Sequence, residues 1–208
     1  MTTGVATLVA AIAVFAVGSL VLHRLNASAS APTTTSTAPT TTTTAPPPTT
    51  TTTVPPGRLP QTHTLPPART PGLDARMTAL LRAVATGDPS RGYTAFFPLA
   101  AYLQTKTGYN NGADWHDRLL GHFDEDVATY HRDLGPGAAH ARLVGYTVND
   151  AQAVWVLPGL EENKGPYWRV YYTTLTYAIG ERRGSITINT MISWRGEWYV
   201  VHLIGFNS

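Results

Sequence analysis

The 208-residue chain has no cysteine. That excludes disulfides, thiolate metal centres and cysteine nucleophiles together, and it says nothing about redox compartment. Charge is scarce, with Asp, Glu, Lys and Arg making up 13% of residues, and acid is missing entirely from the first seventy positions. Of fifteen Lys and Arg, three (Arg24, Arg58 and Arg69) lie in that acid-free region. From Pro71 onward, twelve basic residues stand against thirteen acidic ones, so the folded part is close to neutral. A basic nucleic-acid-binding face is therefore disfavoured, and no nucleic-acid partner is expected. Lysine itself is nearly absent: Lys106 and Lys164 stand beside thirteen Arg. With abundant Ala, Gly, Pro and Thr, this is the composition of a GC-rich bacterial genome.

The apolar residues are unevenly placed. Gly4 to Leu22 is a nineteen-residue run broken by Thr7, Gly18 and Ser19. At 1.5 Å per residue it matches a hydrocarbon core of about 30 Å. We read residues 1–26 as a retained single-pass membrane anchor. A cleaved signal peptide ending at Ala27-Ser28-Ala29 is the alternative, although the segment opens without Lys or Arg. Arg24 votes for a cytoplasmic C-terminal part. Residues 27–70 vote the other way. They are almost wholly Thr, Pro, Ala and Ser, and eleven of the sixteen prolines fall between Pro32 and Pro71. Such a segment buries too little apolar surface to offset its ordering entropy, and it reads as a disordered stalk. Stalks of this composition hold a domain away from a cell surface. The expectation is a cell-membrane protein with its C-terminal domain extracytoplasmic, or a secreted one if the N-terminal segment is cleaved.

Residues 71–208 read as one α+β domain. Leu73, Met77, Leu80, Leu81 and Val84 give a helix over Leu73–Thr86, stopped at Gly87-Asp88-Pro89. Pro98–Thr105 is a short second helix. Ala113–Leu134 is the longest, with Asp114 as its cap and Trp115, Leu119, Phe123, Val127, Tyr130 and Leu134 in one stripe. Five strands follow at Arg142–Val148, Gln152–Leu157, Tyr167–Ala178, Ser185–Trp194 and Glu197–Ile204. β-branched and aromatic residues fill them, and Asn149-Asp150 and Arg195-Gly196 read as tight turns. Helices first and antiparallel strands afterwards place the helices on one face of the sheet.

A two-residue Arg195-Gly196 turn sets a register. One face then carries Ile192–Tyr199, Thr190–Val201 and Ile188–Leu203, joined by Arg169, Tyr171, Thr173, Leu175 and Tyr177. The other carries Ser193–Trp198, Met191–Val200 and Asn189–His202, with Tyr172 beside them. The first, more apolar face is expected under the helices. There Arg169, Tyr171, Thr173, Thr190, Tyr199 and Tyr130 would line a ligand pocket. The second face, with Tyr172, Met191, Trp198, Val200 and His202, would pack under another chain as a homodimer or under the N-terminal helix. On this register the pocket face has no Asp, Glu or His, so the sheet supplies no general base, and no catalytic residue is assigned. Asp124, Glu125 and Asp126 on the long helix read as a solvated acidic face. His122 and Asp126 are four apart but lack a third ligand, so no metal and no cofactor is expected. The Pro158–Pro166 loop, PGLEENKGP, is a connector or a rim that meets a partner.

Helices followed by a sheet ending in RGEWYVVHL resemble the NTF2-like superfamily, the cone-shaped fold of SnoaL-like and ketosteroid-isomerase-like proteins. The resemblance spans Leu73 to Phe206 and rests on Gly196, Trp198, Val200 and His202. Anchor, linker and domain together look like actinobacterial anchored proteins, including those associated with Mce lipid-import systems. The resemblance implies a curved sheet closed by helices around a pocket. Its isomerases would need an acid beside a Tyr in the cone. The expected function is therefore non-catalytic binding of a partner protein or small apolar ligand at the cell envelope. An isomerase-type enzyme and a structural envelope protein remain the alternatives.

Overall fold

The computed structural model describes residues 60–205. The expected anchor at residues 4–22 and most of the expected stalk lie outside the described residues. Among the described residues no helix is long and apolar enough to cross a membrane. Helix α1, Pro71–Thr86, begins two residues earlier than its apolar stripe. Thr70 caps it by accepting a hydrogen bond from the Leu73 N–H at 3.0 Å, and Pro71 fills the first position, where no donor is needed. Gly87, at φ 67°, closes it in the left-handed conformation that lacks a Cβ penalty. Its buried stripe is the one the spacing predicts, Leu73, Met77, Leu80, Leu81 and Val84. Helix α2 is Leu99–Thr105, with Pro98 just outside it.

The long helix α3 has three parts: Asn111–Ala113, a π-helical Asp114–Leu120, and the α-helical Gly121–Leu134. Steps of four overshoot a 3.6-residue turn, and the wider π turn offsets that drift. Leu119, Phe123, Val127 and Leu134 thereby share the core. Asp114 is not a cap. Its carboxylate sits inside the helical run and accepts from Arg118 Nε at 2.6 Å and from the Tyr102 hydroxyl.

The strands are β1 Arg142–Thr147, β2 Val154–Val156, β3 Tyr167–Ile179, β4 Arg182–Trp194 and β5 Glu197–His202. All pairs are antiparallel, in the order β1-β3-β4-β5, and β2 joins the same edge of β3 as β1. The molecule is thus α+β, with helices packed against an open antiparallel sheet. The Arg195-Gly196 turn has two residues, both at positive φ (53° and 83°), which matches the twist of the strands it joins. From it the expected pairs follow: Trp194 with Glu197, Ser193 with Trp198, Ile192 with Tyr199 and Met191 with Val200.

Beyond Met191 the expected register fails. A bulge inserts one residue into β5, so Thr190 faces His202 rather than Val201. Helix α1 lies over the face carrying Tyr146 and Tyr199: Tyr146 donates to Asp74 at 2.7 Å, and the Arg76 guanidinium stacks 4.3 Å from the Tyr199 ring.

The opposite face is closed at one end by residues that the sequence reading placed in the stalk. Trp198 Nε1 donates to the Pro66 carbonyl and Trp168 Nε1 to the His63 carbonyl, each at 3.2 Å. The His63 ring stacks on Trp168 at 5.2 Å and lies 4.5 Å from Trp155. Gln61 Nε2 donates to the Pro166 carbonyl at 3.1 Å. Folded structure therefore begins before Pro71.

Candidate ligand pocket on the sheet

Strand alternation sends Tyr167, Arg169 and Tyr171 to the same face of β3, opposite Ile192 and Thr190 of β4. The β5 bulge adds His202 to this group. Lys106, just past α2, and Glu161, in the β2–β3 loop, close the other side. Together they bound a cavity of about 360 Å³. That lies near the lower end of the roughly 300–1,000 Å³ common for small-molecule sites.

The loop supplies a carboxylate to its own pocket. Glu161 forms an ion pair with Arg169 and accepts from the Tyr167 hydroxyl at 2.7 Å, while Lys106 Nζ donates to the Glu161 carbonyl at 2.7 Å. The Arg169 guanidinium lies 4.6 Å from the Tyr171 ring centre, and its Nε is buried without a hydrogen-bond partner. Buried Asn163 (1% exposed) frames the loop: its Nδ2 donates to the carbonyls of Leu157 and Gly165, and its Oδ1 accepts from the Glu161 N–H.

Burial sets the electrostatics. Desolvation holds Lys106 below the usual lysine value, against the raising influence of Glu162. Burial pushes the Tyr167 hydroxyl up to about 12. Burial, helped by the electrostatic influence of neighbouring Arg118, His122 and Lys106, brings His202 down to about 4, so its imidazole is neutral at pH 7.

Of the six residues expected to line a pocket, Arg169, Tyr171 and Thr190 line this one. Thr173 is fully buried and its hydroxyl has no hydrogen-bond partner. Tyr199 lies under Arg76, which donates to its hydroxyl at 3.1 Å, and borders a separate groove with Phe96 and Trp194. Tyr130 donates to the Thr187 carbonyl at 2.8 Å and is not part of the pocket.

Of the five residues expected on a dimer face, Met191, Trp198 and Val200 are buried within the chain, where a second copy cannot reach them. Tyr172 is 61% exposed, at φ 60°. His202 has moved to the pocket, so the expectation of a pocket face without histidine does not hold. On α3, Asp126 accepts from the Ile204 N–H at 2.9 Å, and Asp124 from the Tyr93 hydroxyl at 3.2 Å. Among the described residues no group of three His, Asp or Glu is gathered to hold a metal.

Sequence reasoning missed Lys106, Glu161 and Tyr167 as lining residues. The charged PGLEENKGP loop was a signal for Glu161, whereas nothing in local sequence points Lys106 at the sheet. No family model matches the chain, and no curated protein or solved structure matches it.

Proposed function

We propose that this chain is a non-catalytic binding module, tethered to a membrane by residues 4–22 and displayed outside it, whose pocket takes a small, largely apolar ligand. The carrying observation is the 360 Å³ cavity on the sheet, where Ile192 and Val201 supply apolar surface within a lining that is otherwise largely polar, Lys106, Arg169, Asn189, Thr190 and His202 among it. The apolar run at residues 4–22 and the Thr/Pro-rich segment after it support the tether. Helices against an antiparallel sheet are in keeping with an NTF2-like architecture. Native mass spectrometry of the full chain, released from lipid nanodiscs, tests the reading. A co-purifying small mass that leaves on collisional activation is expected, and ligand-free protein from every expression host would overturn it.

A second reading, acid–base catalysis of the isomerase type, draws on His202 beside Tyr171 in the cavity. Proton transfer is most effective when the catalytic pKa lies near the working pH. An imidazole held at about 4 is too weakly basic for that at neutral pH. Glu161 is already engaged by Arg169 and Tyr167. The binding reading is the better supported.

A further inference from the structure

We propose that the pocket is selective for a small apolar carboxylate, and that Glu161 occupies the carboxylate position as an internal stand-in that the ligand displaces. This rests on the binding reading above. The charges make the case. Lys106 and Arg169 converge on a small cavity; the Glu161 carboxylate on the loop meets Arg169, while Lys106 Nζ donates to the Glu161 backbone carbonyl and the Tyr167 hydroxyl. An arginine fork presents parallel N–H donors that match a carboxylate two-to-two. Glu161, fixed to its loop, engages Nη1 of Arg169, while Nε stays buried and unbonded. A free carboxylate has no such tether. It can align side-on across Nε and a terminal nitrogen while keeping the hydrogen bond from Tyr167. Its hydrocarbon would then lie along Ile192, Val201 and the Tyr171 ring.

The exchange needs little movement. Asn163 holds the loop backbone through hydrogen bonds to Leu157, Glu161 and Gly165. The Glu161 side chain is 30% exposed, so rotation about its own bonds carries it from Arg169 to solvent. A neutral ligand gains nothing from this exchange, because it would leave Arg169 without an anion in a partly desolvated site. Competition between tethered and free carboxylate therefore rejects uncharged apolar molecules.

The test is equilibrium dialysis of the full chain in phosphatidylcholine nanodiscs against radiolabelled octanoate and its neutral counterpart octanamide, with empty nanodiscs subtracted. The expected result is that octanoate binds more tightly than octanamide, and that Glu161→Gln tightens octanoate by about tenfold. A gain of binding cannot come from misfolding. Arg169→Gln should lose octanoate and keep any weak octanamide binding. If the two probes bind equally and Glu161→Gln changes neither, the carboxylate proposal is overturned while the pocket reading stands. If neither probe binds in any variant, the pocket reading fails and the proposal falls with it.

Discussion

Individual side chains in this domain are decided by their partners more than by their type. Arg76 is buried, at 7% exposure, because Glu197 meets it at 2.6 Å and Tyr199 lies beneath its guanidinium. Breaking a buried pair by removing one partner costs roughly 3–5 kcal/mol. Glu197 keeps some exposure, so Glu197→Gln should destabilise by about 3 kcal/mol in urea unfolding, near the low end of that range. The double change Arg76→Met with Glu197→Leu should recover most of the loss, since no unpaired charge remains.

His202 gives a pH prediction whose sign follows from burial. Its folded value of about 4 lies below the ordinary 6.5, so the unfolded chain takes up the proton first. Stability from this group is unaffected above pH 6.5 and falls between about 6.5 and 4. His202→Asn should flatten the decline of Tm across that window. An unchanged slope would show that His202 is not the residue responsible.

At the scale of elements, the β4–β5 turn governs the sheet. Gly196 sits at φ 83°, where a Cβ is strained by roughly 1–2 kcal/mol. Gly196→Ala should lower stability by about that amount, read as a shifted urea midpoint with an unchanged m-value. The turn was legible in sequence because Gly after Arg between two alternating strands has few other uses. The β5 bulge, opposite Thr190 and Met191, was not. A single inserted residue leaves the period-2 pattern nearly intact, and its place depends on how β5 meets the Ala95–Phe97 segment, where the Val200 N–H donates to the Ala95 carbonyl at 2.9 Å and its carbonyl accepts from Phe97. That one residue moved His202 from the expected dimer face into the pocket. The start of the fold was misplaced for a similar reason. Residues 60–70 share the expected stalk's composition, and their role shows in tertiary contacts, those with Trp155, Trp168, Trp198 and Pro166 among them.

Across the whole molecule, those contacts make the segment before α1 part of the fold. A chain beginning at Pro71 would leave the Trp168 and Trp198 indoles without the carbonyls of His63 and Pro66. Compared with a chain beginning at residue 60, it should have a lower Tm and elute earlier from size exclusion as its uncovered tryptophans associate. Equal Tm and equal elution would show that the segment contributes nothing to the sheet.

The sequence by itself determined the α+β class, the five strands, the apolar stripe of α1 and the register next to the Arg195-Gly196 turn. Each of these follows from local periodicity and backbone preference, which neighbouring residues carry. Tertiary structure decided which face His202 joins, that Trp198 is covered by this chain, and that Lys106 and Glu161 meet Arg169 and Tyr167. Those facts depend on contacts between residues as many as 132 positions apart, as with Pro66 and Trp198. No local pattern encodes such distances; the closing of the chain on itself does.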